Sequence, residues 1–314
     1  MRGEDGLPRV IAIVGPTASG KSSLSELVAC RLGTSVVSVD SMQVYRGMDI
    51  GTAKTPVSER SCELLMVDVC GPTESYSVQR FQSDARMYVD RLLSKGKTPV
   101  LCGGTGLYLD SVIDEMDFPS GEYGDSRRSS YEKLAESEGN DAVYQLLVQR
   151  DARSAAMLHP NNVRRVIRAL ELLDQGISYA ENHEGLLQRK PHYDASIWGI
   201  AMDRARLYRR IDKRVDEMFD LGLVDEVALL VERGLSKDST AGQAIGYKEV
   251  IDFLDGSCTI SEAIDTVKTR TRRYAKRQLS WLKRDGRTRW VDMDSLSIVE
   301  ACDMICADSI GVDL

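Results

Sequence analysis

The chain predicts an α/β fold in which a parallel sheet is flanked by helices and interrupted by a helical insertion. Three observations predict it. Short, β-branched apolar runs stand at 10–14, 35–39, 64–69, 99–102 and 197–202, and helical spacing fills the gaps between the early ones. The first run leads through a glycine-rich loop directly into a helix, with Leu24, Leu27, Val28 and Leu32 at helical spacing. From about Phe118 the strand signature stops, and it resumes only at Ile197. Residues 119–195 therefore read as a helical insertion domain, with 1–118 and 196–314 forming the core and its C-terminal basic helices.

Taken in order, Val10-Ile11-Ala12-Ile13-Val14 has the continuous apolar character of a strand buried on both faces. Ser35-Val36-Val37-Ser38-Val39 is the second strand and ends at Asp40, where a long polar loop runs to Lys54. Loops of that length at the C-terminal edge of a parallel sheet commonly carry function. Residues 64–69 form a third strand, and 77–95 a helix with Val78, Phe81, Ala85, Tyr88, Val89 and Leu92 on one side. Pro99-Val100-Leu101-Cys102 is a fourth strand, running into Gly103-Gly104-Thr105-Gly106. After the insertion and the strand at 197–202, helices are expected over 204–233, 244–254 and 261–283. The last opens with Thr259 and Glu262 in a capping-box spacing. Ile264, Val267 and Leu279 are its core side, and Lys268, Arg272 and Lys276 share another face.

The sharpest motif is Gly15-Pro16-Thr17-Ala18-Ser19-Gly20-Lys21-Ser22, a G-x-x-x-x-G-K-[ST] loop in the strand-to-helix setting that gives the pattern meaning. Its glycines let backbone N–H groups turn around an anion, and the helix N-terminus adds partial positive charge. Lys21 neutralises phosphate oxygens, and Ser22 offers a hydroxyl to Mg²⁺. The core is thus P-loop NTPase-like, of the nucleotide-binding and ATP-binding motif class, and the loop predicts a phosphate-rich ligand.

Around it stand further candidates. Asp40 suits Mg²⁺ contact or general-base work, although an Asp before Ser also caps turns. Gln43 follows within one turn, placed for a planar amide or nucleobase partner. Thr17 can donate to a bridging or leaving-group oxygen, and Thr105 faces the same crevice by topology. Among Arg204, Arg206, Arg209 and Arg210, we expect Arg210 to bind a departing diphosphate.

Composition bounds the rest. Of 314 residues, 42% are hydrophobic and 28% charged, as in ordinary globular proteins. No apolar run reaches the length of a membrane span. The first residues lack a signal-like apolar stretch, so a cytoplasmic protein is expected. Seven scattered cysteines suit free thiols in a reducing compartment, and zinc spacing is lacking. The net charge is −7, yet residues 268–289 hold ten Lys/Arg against Asp285 alone. The remaining chain then carries 31 basic and 47 acidic residues, or −16. Such segregation suits a local polyanion site, and Tyr274 and Trp281 interleave aromatics for stacking.

The blocks GPTASGKS at 15–22, SVDSMQVYRGMDIGTAK at 38–54 and GGTGLY at 103–108 are followed by HPNNVRRVIRALE at 159–171, QAIGYKE at 243–249 and AKRQLSWLKR at 275–284. In that order and over nearly the whole chain, they resemble the tRNA dimethylallyltransferase (tRNA isopentenyltransferase) family. The resemblance implies transfer of a dimethylallyl group from dimethylallyl diphosphate to the exocyclic amine of adenosine 37, beside the anticodon of tRNAs reading codons that begin with U. It implies that residues 15–22 hold the diphosphate, with Mg²⁺ as cofactor, and that Thr17 meets the bridging oxygen. Asp40 becomes the general base, and Asp40, Ser41, Met42 and Gln43 contact the flipped adenine. The stretches Arg164, Arg165 and Arg168, then Gln243, Gly246, Tyr247 and Lys248, then Lys276, Arg277, Gln278, Trp281 and Lys283, match tRNA contacts. Thr105 and Arg128 match isolated ones. A monomer without membrane association is expected. Cys62-Glu63 stands where relatives often carry paired histidines, Ser22 replaces a commoner threonine, and the eukaryotic zinc finger is lacking, which implies a bacterial-type enzyme.

Three other readings compete on the residues alone. One uses free AMP or ATP as the acceptor, one is a small-molecule kinase, and one is an RNA-binding module without catalysis.

Overall fold

The computed structural model describes residues 6–119 and 126–310. In chain order the first unit runs β1 (Arg9–Val14), α1 (Lys21–Arg31), β2 (Val36–Ser38), β3 (Leu64–Leu65), α2 (Val78–Leu93), β4 (Val100–Gly103) and α3 (Gly106–Ile113). Then come α4 (Ser126–Glu138), α5 (Asn140–Arg150), α6 (Ala152–Ala156), α7 (Val163–Asp174) and α8 (Tyr179–Leu187). The first unit resumes with β5 (Asp194–Ala201), α9 (Arg204–Asp220), α10 (Leu223–Glu232), α11 (Tyr247–Leu254), α12 (Ile260–Leu282), β6 (Arg289–Asp292) and α13 (Ile298–Ile310).

The six strands form one parallel sheet in the order β3-β2-β4-β1-β5-β6. Alternation along β1 divides the core between two faces. Val10, Ala12 and Val14 pack with α2, α3, α10 and α11 through Phe81, Val112, Leu230 and Tyr247. Ile11 and Ile13 pack with α1 and α13 through Leu24, Val28, Cys302 and Ile305. Among the described residues no helix is long and apolar enough to cross a membrane.

The chain divides into unit 1, Met1–Ile113 with Pro191–Leu314, and unit 2, Asp114–Lys190. Residues 191–195 go with the sheet for a visible reason. The N–H groups of His192 and Tyr193 donate to Ile113 O, and the Tyr193 hydroxyl reaches Asp90 at 2.7 Å. Unit 2 has its own core, in which Val166, Ile167 and Leu170 of α7 meet Val143 and Leu147 of α5.

The structure corrects four expectations. The third strand pairs only at Leu64–Leu65, because Met66 and Asp68 take left-handed backbone angles (φ 60° and 57°). The N–H groups of Asp68, Val69 and Cys70 then bond Gln43 and Val44 of the long loop instead of a strand. The helix expected over 204–233 is two helices, broken at Gly222 (φ 96°). Strand β6 was not expected, since Val291 alone of its four residues is buried and an edge strand shows no apolar run. Helix α13 was also unexpected, although Ser297 and Glu300 cap it reciprocally in the S-x-x-E spacing.

Candidate active site

Strand β1 lies at the centre of the sheet and delivers the chain to the phosphate loop. Gly15 N–H donates to Gly103 O at 3.3 Å, and a Cβ on Gly15 would meet Ser19 Oγ at 2.8 Å and Ile200 Cβ at 3.2 Å. A side chain there would crowd both. Ala18 (φ 62°) and Gly20 (φ 96°) turn the loop back on itself. Gly20 then caps α1 with no side-chain acceptor and no acid in the first turn. The first-turn N–H groups and the helix dipole are left for an anion. Ser19 Oγ is buried without a hydrogen-bond partner among the described residues.

Lys21 folds across the loop, its Nζ donating to Pro16 O at 3.4 Å. Burial pushes its pKa down; Cys102 and Asp40 pull it back, and Arg214 adds to the depression. Ser22, in the first turn of α1, is at the surface beside the Cys102 thiol. A pocket opens there, lined among others by Ser22, Ser38, Gln43, Arg60, Cys62 and Cys102. Among the described residues no three His, Cys, Asp or Glu side chains gather as a metal cage.

Helix α9 supplies the cations above the loop. Arg210 Nε donates to Ala18 O at 2.7 Å, and its Nη2 lies 3.8 Å from where a Cβ on Gly20 would be. One turn further, Arg214 Nη1 donates to Thr17 Oγ1 at 3.3 Å. Burial lowers the Arg214 pKa, and Asp40 is the main group opposing it. The other arginines weighed from sequence go elsewhere: Arg206 pairs with Asp294 at 2.5 Å, and Arg204 lies over the Tyr208 ring. Arg209 is exposed. Sequence reasoning missed Arg214, though its spacing of four from Arg210 put both on one helix face.

Asp40 stands at the C-terminal edge of β2. One carboxylate oxygen accepts from Met42 N–H at 2.9 Å, so the turn-capping role is real. The carboxylate also lies in the electrostatic field of Lys21 and Arg214. Ser41 N–H donates to Thr105 Oγ1 at 3.3 Å, which joins this loop to Gly103-Gly104-Thr105-Gly106. The Gln43 amide is engaged at both ends, accepting from Ser38 Oγ at 2.8 Å and donating to Thr52 O at 3.2 Å.

The rest of the loop is held from below. Glu226 accepts the N–H groups of Asp49, Ile50 and Gly51 at 3.0, 2.7 and 3.3 Å, and the Tyr247 hydroxyl at 2.6 Å. Buried Lys54 donates to Tyr45 O, Asp49 and Asp68 at 2.6, 2.8 and 2.6 Å. Neither Glu226 nor Lys54 was singled out from sequence. Tyr247, read there as an RNA contact, is fully buried, and its ring occupies the space a side chain on Gly51 would need. Gly246 is buried beside it with φ 97°. Gln243 donates to Lys237 O at 2.6 Å, and Lys248 is half-buried.

Helix α12 crosses the same edge. Gln278, 5% exposed, accepts from Thr17 N–H at 2.9 Å and donates to Gly104 O at 3.0 Å. The Trp281 indole lies against Gly106 and donates to Asp110 at 3.1 Å, while the residue stays 36% exposed. Much of the basic charge is balanced within the fold. Lys268 pairs with Asp216 at 2.5 Å and Arg272 with Asp212 at 2.8 Å, while Arg270 pairs with Glu249. Arg273, Lys276, Arg277, Lys283 and Arg284 are exposed. The face expected to hold Lys268, Arg272 and Lys276 together is therefore split, with the first two turned onto α9.

In unit 2, Arg164 and Arg165 are exposed on α7. Arg168 donates to Pro119 O at 2.9 Å. Arg128 is buried and bonds Glu132 at 2.9 Å and Glu171 at 3.4 Å.

Residues 43–285 match the IPP transferase family, and residues 8–62 match an isopentenyl transferase family. A tRNA dimethylallyltransferase of Carboxydothermus hydrogenoformans is 42% identical over 303 residues, covering 96% of this chain and 97% of that protein. One from Halalkalibacterium halodurans is 43% identical and covers 91% of each chain. Among solved structures, the full-length tRNA isopentenylpyrophosphate transferase of Bacillus halodurans is 41% identical, with a TM-score of 0.72 and 96% of each chain covered. A eukaryotic dimethylallyltransferase acting on tRNA is 29% identical, with a TM-score of 0.81, covering 96% of this chain and 79% of its own.

Proposed function

The chain belongs to the IPP transferase family, and we propose that it is a tRNA dimethylallyltransferase. It moves the dimethylallyl group of dimethylallyl diphosphate to N6 of adenosine 37 in tRNAs reading codons that begin with U, and it releases diphosphate. The observation that carries this reading is the convergence of Thr17, Lys21, Arg214 and Asp40 at one end of the sheet.

An adenine amine is a weak nucleophile, since its lone pair is delocalised into the ring. Reaction needs a stabilised leaving group and cationic character at the allylic carbon. Lys21, Arg210 and Arg214 balance the negative charge that grows on the departing diphosphate, and Thr17 donates to the oxygen at which the bond breaks. As N6 bonds to the allylic carbon, the C–O electron pair leaves with diphosphate and the amine proton passes to Asp40. The nitrogen becomes acidic as it bonds, which lets a carboxylate accept its proton. The Ser22 hydroxyl suits Mg²⁺, which is held mainly by phosphate oxygens and water and requires no cage of protein ligands. When bound, the ion neutralises diphosphate charge.

The adenosine must leave the anticodon stack, at about a few kcal/mol that RNA contacts offset. Arg164, Arg165, Lys276, Arg277 and Lys283, all exposed, would supply such contacts, as would Lys248 and Thr105. The protein acts as a cytoplasmic monomer. Labelled dimethylallyl diphosphate offered with unmodified tRNA and with AMP tests the acceptor. Label entering tRNA alone is expected; label on AMP would point to a mononucleotide prenyltransferase.

A further inference from the structure

We propose that Gln278 is a positioning residue for this transfer, holding Thr17 by its N–H while Arg214 engages its hydroxyl; the inference rests on the transfer reading above. Its amide reaches the phosphate loop and the neighbouring glycine loop at once, accepting from Thr17 N–H and donating to Gly104 O. The fit depends on Gly104, where a Cβ would lie 2.1 Å from Gln278 Nε2. The residues one turn to either side anchor the same face. The Tyr274 hydroxyl borders Thr105 and Gln278, and Trp281 lies on Gly106.

Thr17 is thus gripped twice, by α9 through its hydroxyl and by α12 through its N–H. A neutral amide suits the second grip. It offers an acceptor and a donor together, whereas a carboxylate offers only the acceptor and sets negative charge beside a diphosphate. Both ends of this buried side chain are engaged within the fold. Small displacements of a reacting group lower turnover steeply, so losing the grip acts on the chemical step.

The test compares wild type, Gln278→Met, Thr17→Ala and the double variant in single-turnover prenyl transfer at saturating donor and tRNA, with tRNA affinity measured separately. We expect Gln278→Met to slow transfer about tenfold or more and to leave tRNA affinity within about threefold. In the Thr17→Ala background the same change should matter less than about threefold, because both act on one hydroxyl. Losses that multiply independently would overturn the role, as would weakened tRNA binding with a normal transfer rate. If Gln278→Met does not melt cooperatively, Gln278→Asn carries the same comparison, since its amide is one methylene too short to span Thr17 N–H and Gly104 O together. No transfer by the wild-type protein would overturn the transfer reading itself and this role with it.

Discussion

Arg214 Nη1 donates to Thr17 Oγ1 at 3.3 Å across 197 residues of chain. That bond ties helix α9 to the phosphate loop and, on the proposed function, gives the leaving group a guanidinium partner. Arg214→Ala should lower kcat about 100-fold or more, as removal of an oxyanion donor does. Arg214→Lys should recover little, because a lysine cannot reproduce the fork. Arg210→Ala, further out on Ala18 O, should act mainly on the KM for the diphosphate donor. Steady-state kinetics on the three variants check this order.

The proposed base role of Asp40 is separable by an isostere from the turn cap it forms. Asp40→Asn keeps a side-chain oxygen for Met42 N–H but cannot take the amine proton. Transfer should be abolished while tRNA affinity stays within a few-fold. Normal single-turnover chemistry in this variant would move the base elsewhere.

Lys21 gives a pH signature. Burial holds its folded pKa below 10.5, so in the free protein its proton is lost earlier than from an exposed lysine. Bound diphosphate stabilises the charged form and raises that pKa. The share of donor affinity that Lys21 supplies is therefore fully present below that value. It weakens as pH rises through the depressed value of the free protein, with proton uptake on binding there. Lys21→Arg, which does not deprotonate, should remove the alkaline weakening. Titration calorimetry in buffers of different ionisation enthalpy measures the uptake.

The basic helix contains two kinds of cation. Arg273→Ala with Lys276→Ala should weaken tRNA binding and flatten its salt dependence by about two phosphate contacts. Arg272→Ala removes the pair with Asp212 and should lower stability by about 1 kcal/mol or less, leaving the salt slope unchanged. Fluorescence titrations across a salt series, with melting curves, distinguish the two.

How much was legible from the residues follows from which signals are local. Strand β1, the phosphate loop and Asp40 are contiguous patterns, and the structure sets them side by side as their order implies. The pairing of Lys268, Arg270 and Arg272 was hidden, because Asp216, Glu249 and Asp212 lie on other segments and charge counting ignores direction. Tyr247 resembled an exposed RNA contact, since a sequence does not say which aromatic fills the space above a glycine. Gln278 bears no signature at all, because an amide that bridges two loops is defined only by what it meets. Arg214 and the Ser297–Glu300 cap were readable from spacing and were missed.

The most direct measurement is the nucleoside content of tRNA after incubation with dimethylallyl diphosphate, Mg²⁺ and this protein. The account predicts N6-dimethylallyladenosine and diphosphate in equal amounts, with added ATP left intact. ATP consumed in proportion to a phosphorylated product, with no prenylated nucleoside in the digest, would contradict it.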